Sequence, residues 1–186
     1  MGTRSSLRDR TSTAILDAAA LVFLRDGTGA SIDDVAEAAG VGRATVYRYF
    51  ANRDALLRAL LEDALDDMAT RLEEAEIDLV AVPEGVARSA RALVGASVKY
   101  AFLAYEAKHV DPDEVEKRLA APLRDLFRRG RADGTLRGDL SEEELGRLFG
   151  GLVQAAVQMT AEGNAGAERA AAMVISVFLD GAAARA

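Results

Sequence analysis

The sequence predicts an all-α protein: an N-terminal three-helix head of the helix-turn-helix kind, followed by a C-terminal helical bundle, about nine helices in all. Three observations carry this. Alanine, leucine and arginine are the commonest of the 186 residues, and only three prolines interrupt them, a composition of strong helix formers. Apolar residues recur at three- and four-residue spacing, and no strand-like alternation persists anywhere. Half of the chain is apolar, enough to build a core and to argue against disorder.

The first helix is expected over Thr11 to Arg25, where Ile15, Ala18, Ala19, Val22 and Phe23 share one face. Gly27 is its stop signal. Ser31 then opens a second helix, with Asp34 three residues on as a variant of the capping box. Ile32, Val35, Ala36 and Ala39 form its inner face. Gly40 ends it, Val41 turns inward, and Arg43 to Phe50 is again helical, with Ala44, Val46 and Phe50 expected to be buried. Asn52 caps a fourth helix that carries Leu56, Leu57, Leu60, Leu61 and Leu65. Two short helices joined by a tight glycine turn make a helix-turn-helix. Helices this short are not stable alone, so the first helix and the start of the fourth must pack behind them.

Further helices are expected over Glu84 to Ala107, Pro112 to Arg131, Ser141 to Glu162 and Gly166 to Ala184. Val82-Pro83, Gly134 to Asp139 and Gly163 to Gly166 mark the loops between them. Ser141 with Glu144 gives a full capping box.

Charge divides the chain. Residues 1–54 hold seven basic and seven acidic side chains, so the whole net charge of -7 lies in the remainder. This suggests two functional regions, residues 1–52 and residues 53–186. With no cysteine there is no disulfide or thiolate chemistry, and a reducing, cytoplasmic location is expected. The longest apolar run, Ala170 to Leu179, is broken by Ser176 and too short to span a membrane, and MGTRSSLRDR lacks the apolar core of a secretory signal. No membrane partner is expected.

The segment Gly40-Val-Gly-Arg-Ala-Thr-Val-Tyr-Arg-Tyr-Phe50 concentrates groups suited to DNA. Arg43 and Arg48 supply guanidinium forks for guanine or phosphate, and Thr45, Tyr47 and Tyr49 supply hydroxyls. Gly42 removes a side chain where the third helix would approach the DNA backbone. Arg4, Arg8 and Arg10 form a basic arm ahead of the first helix, suited to phosphate or the minor groove.

The stretch TAILDAAALVFLRDGTGASIDDVAEAAGVGRATVYRYFANRDALL, residues 13 to 57, resembles the DNA-binding head of the TetR/AcrR family of bacterial repressors. The likeness covers about a quarter of the chain continuously, including the following Phe50-x-x-Arg53-x-x-Leu56-Leu57. It implies groove and phosphate contacts from Thr45 and Tyr47. Tyr49 falls where the family usually has histidine, and Arg53 where it usually has lysine, a phosphate anchor on the fourth helix. Ser31 matches the start of the second helix, often a backbone contact. Position 51 is alanine where proline is frequent. The acidic body is compatible with this role, because charge held away from DNA is screened over about 8 Å at physiological salt.

A regulator of this kind reads two half-sites of a palindromic operator in double-stranded DNA, which calls for a homodimer. The small-residue stripe Gly146-x-x-x-Gly150 with Phe149, Val153, Val157, Met173 and Val177 is the expected interface. The resemblance also implies a pocket for a small-molecule effector, apolar or aromatic given the many alanines. Tyr100, Phe102, Tyr105, His109, Phe127, Gln154 and Gln158 are the groups able to line it. His109 is the only histidine, so neither a metal site nor a cofactor is expected. Enzyme motifs are absent: Gly40 to Thr45 lacks the third glycine of a dinucleotide loop, and there is no Walker sequence or Gly-x-Ser-x-Gly. The alternative reading is a small-molecule-binding or scaffold protein whose head does not read DNA.

Overall fold

Stop and cap signals in the sequence set most helix boundaries. The computed structural model describes residues 3–97 and 112–183. The elements are α1 (Thr3–Asp26), α2 (Ile32–Ala38), α3 (Arg43–Tyr49), α4 (Arg53–Glu74), α5 (Val82–Ser97), α6 (Pro112–Val115), α7 (Ala121–Ala132), α8 (Glu142–Ala161) and α9 (Ala167–Ala182). A π-helical segment, Glu116–Ala120, joins α6 to α7, so these form eight continuous helical runs. Among the described residues there is no strand, only an isolated bridge between Leu136 and Ala183.

The sequence reading differs from the structure at three places. The helix α1 starts at Thr3, so Arg4, Arg8 and Arg10 lie on its first turns rather than on an arm ahead of it. No glycine or proline between residues 3 and 26 stops the helix from extending backwards. Val82 and Pro83 belong to the first turn of α5 rather than to a loop. Proline is tolerated there, since the first-turn N–H has no partner within the helix. Ala44 is exposed, not buried. Val46 faces the core, and two residues back along a helix turns a side chain to nearly the opposite side.

The chain divides into two compact units and passes from one to the other within α4, between residues 63 and 64. In the first unit α1 packs on α2 and α2 on α3. Ile15, Ala19, Val22, Phe23, Val35, Val46, Leu56, Leu57 and Leu60 form its buried core. Gly40 has φ +66°, the left-handed conformation of a helix C-terminal cap. The Gly40 N–H donates to the Glu37 carbonyl at 3.0 Å and the Val41 N–H to Ala36 at 3.0 Å, the two bonds of a Schellman motif. This closes α2 and aims the chain into α3.

In the second unit α5, α8 and α9 pack on one another, with α7 against α5 and α8. Phe127, Phe149 and Phe178 meet at its centre, with ring centroids 5.1 to 5.8 Å apart. Gly130 lets the 131–136 turn fold back: a Cβ there would lie 2.7 Å from Leu136 and 2.8 Å from Val82. Arg129 donates to the carbonyls of Ile77 at 2.6 Å and Asp78 at 2.7 Å, and Arg88 to Ala75 at 3.1 Å. These bonds satisfy backbone oxygens around the turn after α4.

Candidate functional site

Helix α3 has an outward face one and a half turns long. Arg43, Ala44, Tyr47 and Arg48 are exposed, at spacings that place them side by side, while Thr45 and Tyr49 are half-buried at the flank. Val46 is fully buried and Phe50 nearly so. The apolar pair fixes the helix to the core of the head and leaves the polar face to solvent. Gly42 is the N-cap residue, with φ −72° and ψ 148°. A Cβ at Gly42 would meet nothing within 4 Å. The fold itself therefore does not require glycine at this position.

Neighbouring groups hold the cations of this face. Arg43 Nη1 donates to Asp33 Oδ2 at 2.8 Å, and Arg43 Nη2 to the Tyr47 hydroxyl at 3.3 Å. The Arg43 guanidinium carbon lies 5.4 Å from the Tyr47 ring centre, and that of Arg48 lies 5.4 Å from the Tyr49 ring centre. Hydrogen bonding to Tyr47, reinforced by the Asp33 charge, raises the Arg43 pKa above its ordinary value, so it is charged at any working pH. Arg53, half-buried on the first turn of α4, has its guanidinium carbon 5.1 Å from the Phe23 ring centre.

Ser31 sits at the N-cap of α2 in a complete capping box. Its Oγ accepts from the Asp34 N–H at 3.2 Å, and its own N–H donates to Asp34 Oδ2 at 2.8 Å. The Ser31 hydroxyl also donates to that carboxylate at 2.6 Å. These bonds, the side-chain one first, hold the Asp34 pKa below the usual carboxylate value. The side chains of Arg4 and Arg8 lie outside what the structure describes. Among the predicted contacts, Ser31, Gly42, Arg43, Thr45, Tyr47, Arg48, Tyr49 and Arg53 all fall on α2, α3 or the start of α4. The sequence reading missed Asp33, whose link to Arg43 spans ten residues, and the outward methyl of Ala44.

The second unit contains a cavity of about 540 Å³. Its walls are Met68 of α4, Leu93 and Ser97 of α5, Val115 and Leu119 around the π segment, Leu123 of α7, and Gly146, Phe149, Gly150 and Val153 of α8. Glu116, Arg124, Glu142, Glu143 and Arg147 supply its charged part. Glu116 pairs with Arg124, and Glu142 with Arg131 at 2.6 Å. Size and lining suit a small, largely apolar molecule held by a few polar groups. Of the expected ligand residues, those that the structure describes are not among these lining residues. Tyr100, Tyr105 and His109 lie outside the described residues. Phe127 is fully buried in the phenylalanine cluster. Gln154 and Gln158 are exposed on α8, where Gln158 donates to Glu162 at 3.0 Å.

The expected interface residues separate into two groups. Phe149, Val153 and Val157 are buried within the subunit, and Gly146, Phe149, Gly150 and Val153 line the cavity. A side chain already buried in its own subunit has no apolar area left for a partner. Met173 and Val177 of α9 are exposed, as is Leu148 of α8, which is 55% accessible. Gly151 and Ala155 are exposed on α8 as well. Among the described residues no helix is long and apolar enough to cross a membrane, and no three metal-ligating side chains cluster.

A helix-turn-helix head with an outward arginine-tyrosine face, joined through a long helix to an all-α unit, defines a DNA-binding transcriptional regulator. Residues 15–60 match the family model described as bacterial regulatory proteins, tetR family. The chain is 50% identical over 72 residues to the transcriptional repressor LfrR of Mycolicibacterium smegmatis, a match spanning 39% of this chain and 38% of that repressor. It is 27% identical to the repressor KstR2 of Rhodococcus jostii over 92% of this chain and 90% of that one. The crystal structure of LfrR in complex with proflavine superposes with a TM-score of 0.78 at 29% identity, covering 94% of this chain and 97% of that one. The chain belongs to the TetR family of DNA-binding transcriptional regulators.

Proposed function

We propose that the protein is a homodimeric repressor that occupies a palindromic operator and releases it when a small apolar or aromatic molecule enters the cavity of the second unit. The observation that carries this reading is the α3 face, where Arg43, Ala44, Tyr47 and Arg48 stand exposed around a buried Val46. Arginine reads guanine through paired hydrogen bonds, and an alanine methyl suits the methyl of thymine. Tyr47, Tyr49, Thr45, Ser31 and Arg53 hold phosphates and so set register. Residues 1–52 serve DNA binding, and residues 53–186 serve effector binding and pairing.

Effector binding is supported by the cavity and by the proflavine complex of LfrR, a relative of the same family. Met68 of α4 is part of the cavity wall, and Asp66 of the same helix accepts from Arg118 Nη1 of the π segment at 2.6 Å. π-Helical segments are rare and frequent at functional sites. An effector that displaces Leu119 or Met68 therefore acts on α4, whose first turns belong to the head. A shift of α4 changes the separation of two paired heads, a population shift between operator-competent and incompetent states. Pairing uses the exposed Leu148, Met173 and Val177 rather than the buried members of the expected set. The protein acts in the cytoplasm, on the nucleoid when bound to DNA.

The test is a mobility shift on the DNA flanking its own gene, with proflavine as the first effector probe. Sequence-selective binding that proflavine or another planar aromatic reverses supports the reading. Selective binding that no such molecule reverses removes the effector class but leaves the DNA role.

A further inference from the structure

We propose that Asp33 is a specificity-determining residue of the DNA interface, holding the Arg43 fork for a base edge and withholding it from phosphate. The inference rests on the α3 face being the DNA-reading surface. Asp33 belongs to the first turn of α2, and Arg43 is the first residue of α3. The carboxylate holds Nη1 at 2.8 Å, the Tyr47 hydroxyl holds Nη2 at 3.3 Å, and the Tyr47 ring lies beneath the guanidinium at 5.4 Å. Three groups from two helices therefore restrict a side chain that is otherwise long and rotamer-rich. The remaining N–H donors of the fork stay available to a base.

The pair is not explained by stability. Both side chains are 60% exposed, and an exposed ion pair contributes little to folding. Nor does Asp33 cap α2, because Ser31 and Asp34 already do so. An acid beside a recognition helix is unfavourable near phosphates, so its position calls for a compensating role. Its charge offsets that of Arg43, which lowers the counterion release that drives binding to any sequence. A guanine edge rewards the oriented fork through paired bonds. Non-specific complexes lose and cognate complexes gain.

The experiment uses the full-length protein, a duplex enriched by it from a random-sequence pool, and a scrambled duplex of equal length. Affinities are measured across a salt series. Asp33→Asn should tighten binding to the scrambled duplex and steepen its salt dependence by about one unit of slope, as for one added phosphate contact. The ratio of cognate to scrambled affinity should fall by about 5- to 10-fold, and Asp33→Glu should restore part of it. In an Arg43→Ala background, Asp33→Asn should leave the ratio unchanged, an outcome that a purely structural role of Asp33 would not give. An unaltered ratio in Asp33→Asn, or an equal fall with and without Arg43, overturns the proposal. If the pool yields no enriched sequence at all, the DNA reading fails along with it. Selective wild-type binding with an unaltered variant ratio overturns this inference alone.

Discussion

On the proposed reading, arginine and tyrosine do different work on α3, and substitution separates them. Tyr47→Ala should weaken binding to all duplexes, because phosphate contacts carry no sequence information, and should lower selectivity only at the base pair that Arg43 reads, since the Tyr47 hydroxyl helps to hold that fork. Arg48→Ala and Arg43→Ala should instead relax selectivity at particular base pairs by about 1–3 kcal/mol each. Affinities over single-base operator variants check this, and uniform loss for all three would mean that the base contacts are misassigned. Gly42 makes a second case. Its backbone angles suit any residue and its surroundings are open, so Gly42→Ala should leave the melting temperature nearly unchanged. If glycine serves close approach to the DNA backbone, operator affinity should fall in the same variant. The outward position of Arg43, Tyr47 and Arg48 was legible in the sequence because the third helix is short and its buried members, Val46 and Phe50, are few. Asp33 was not legible as a partner of Arg43, since only the turn at Gly40 brings α2 and α3 together. Ala44 was expected inside because it is apolar, whereas the spacing to Val46 puts it outside.

At the scale of elements, the caps were the most readable feature of the chain. Ser31 with Asp34 and Ser141 with Glu144 both form complete boxes in the structure. Ser31→Ala should cost about 1 kcal/mol of helix stability. The boxes also set an acid sensitivity. The Ser31 bonds lower the Asp34 pKa, and the Ser141 N–H, then its hydroxyl, lower that of Glu144. A carboxylate whose folded pKa is depressed stabilises the fold above its ordinary pKa, near 4, and loses that contribution as pH falls through the folded value. Thermal melts between pH 7 and pH 3 should therefore show wild type losing more stability on acidification than the Ser31→Ala, Ser141→Ala double variant. Equal losses would exclude these two boxes as the source. The start of α1 and of α5 were misread for a common reason. Sequence signals mark where a helix is allowed to stop, but neither the stretch before Thr11 nor Pro83 in a first turn requires one to stop. Among the described residues the apolar part of the cavity wall is Met68, Leu93, Val115, Leu119, Leu123 and Val153 with Phe149, side chains that in the sequence look like ordinary core.

For the whole molecule, the distribution of charge and of exposed apolar area fits a division of labour. The net charge of -7 lies beyond residue 54, which leaves the head electrostatically balanced, with Arg43 and Arg48 on α3. Exposed Leu148, Met173 and Val177, the last 57% accessible, are the apolar area available for pairing two copies. Val177→Asp should convert a dimer to a monomer in sedimentation at micromolar concentration while leaving the helical circular dichroism intact. A wild-type protein that is already monomeric there would refute pairing through this face. The central claim is that this chain reads DNA as a regulator of its own neighbourhood. Its most direct test is the binding of purified protein to the duplex flanking its own gene, against a scrambled duplex, over a salt series. The account predicts selective binding whose affinity falls steeply with salt and whose footprint has two-fold symmetry. Equal affinity for both duplexes at every salt concentration would contradict it.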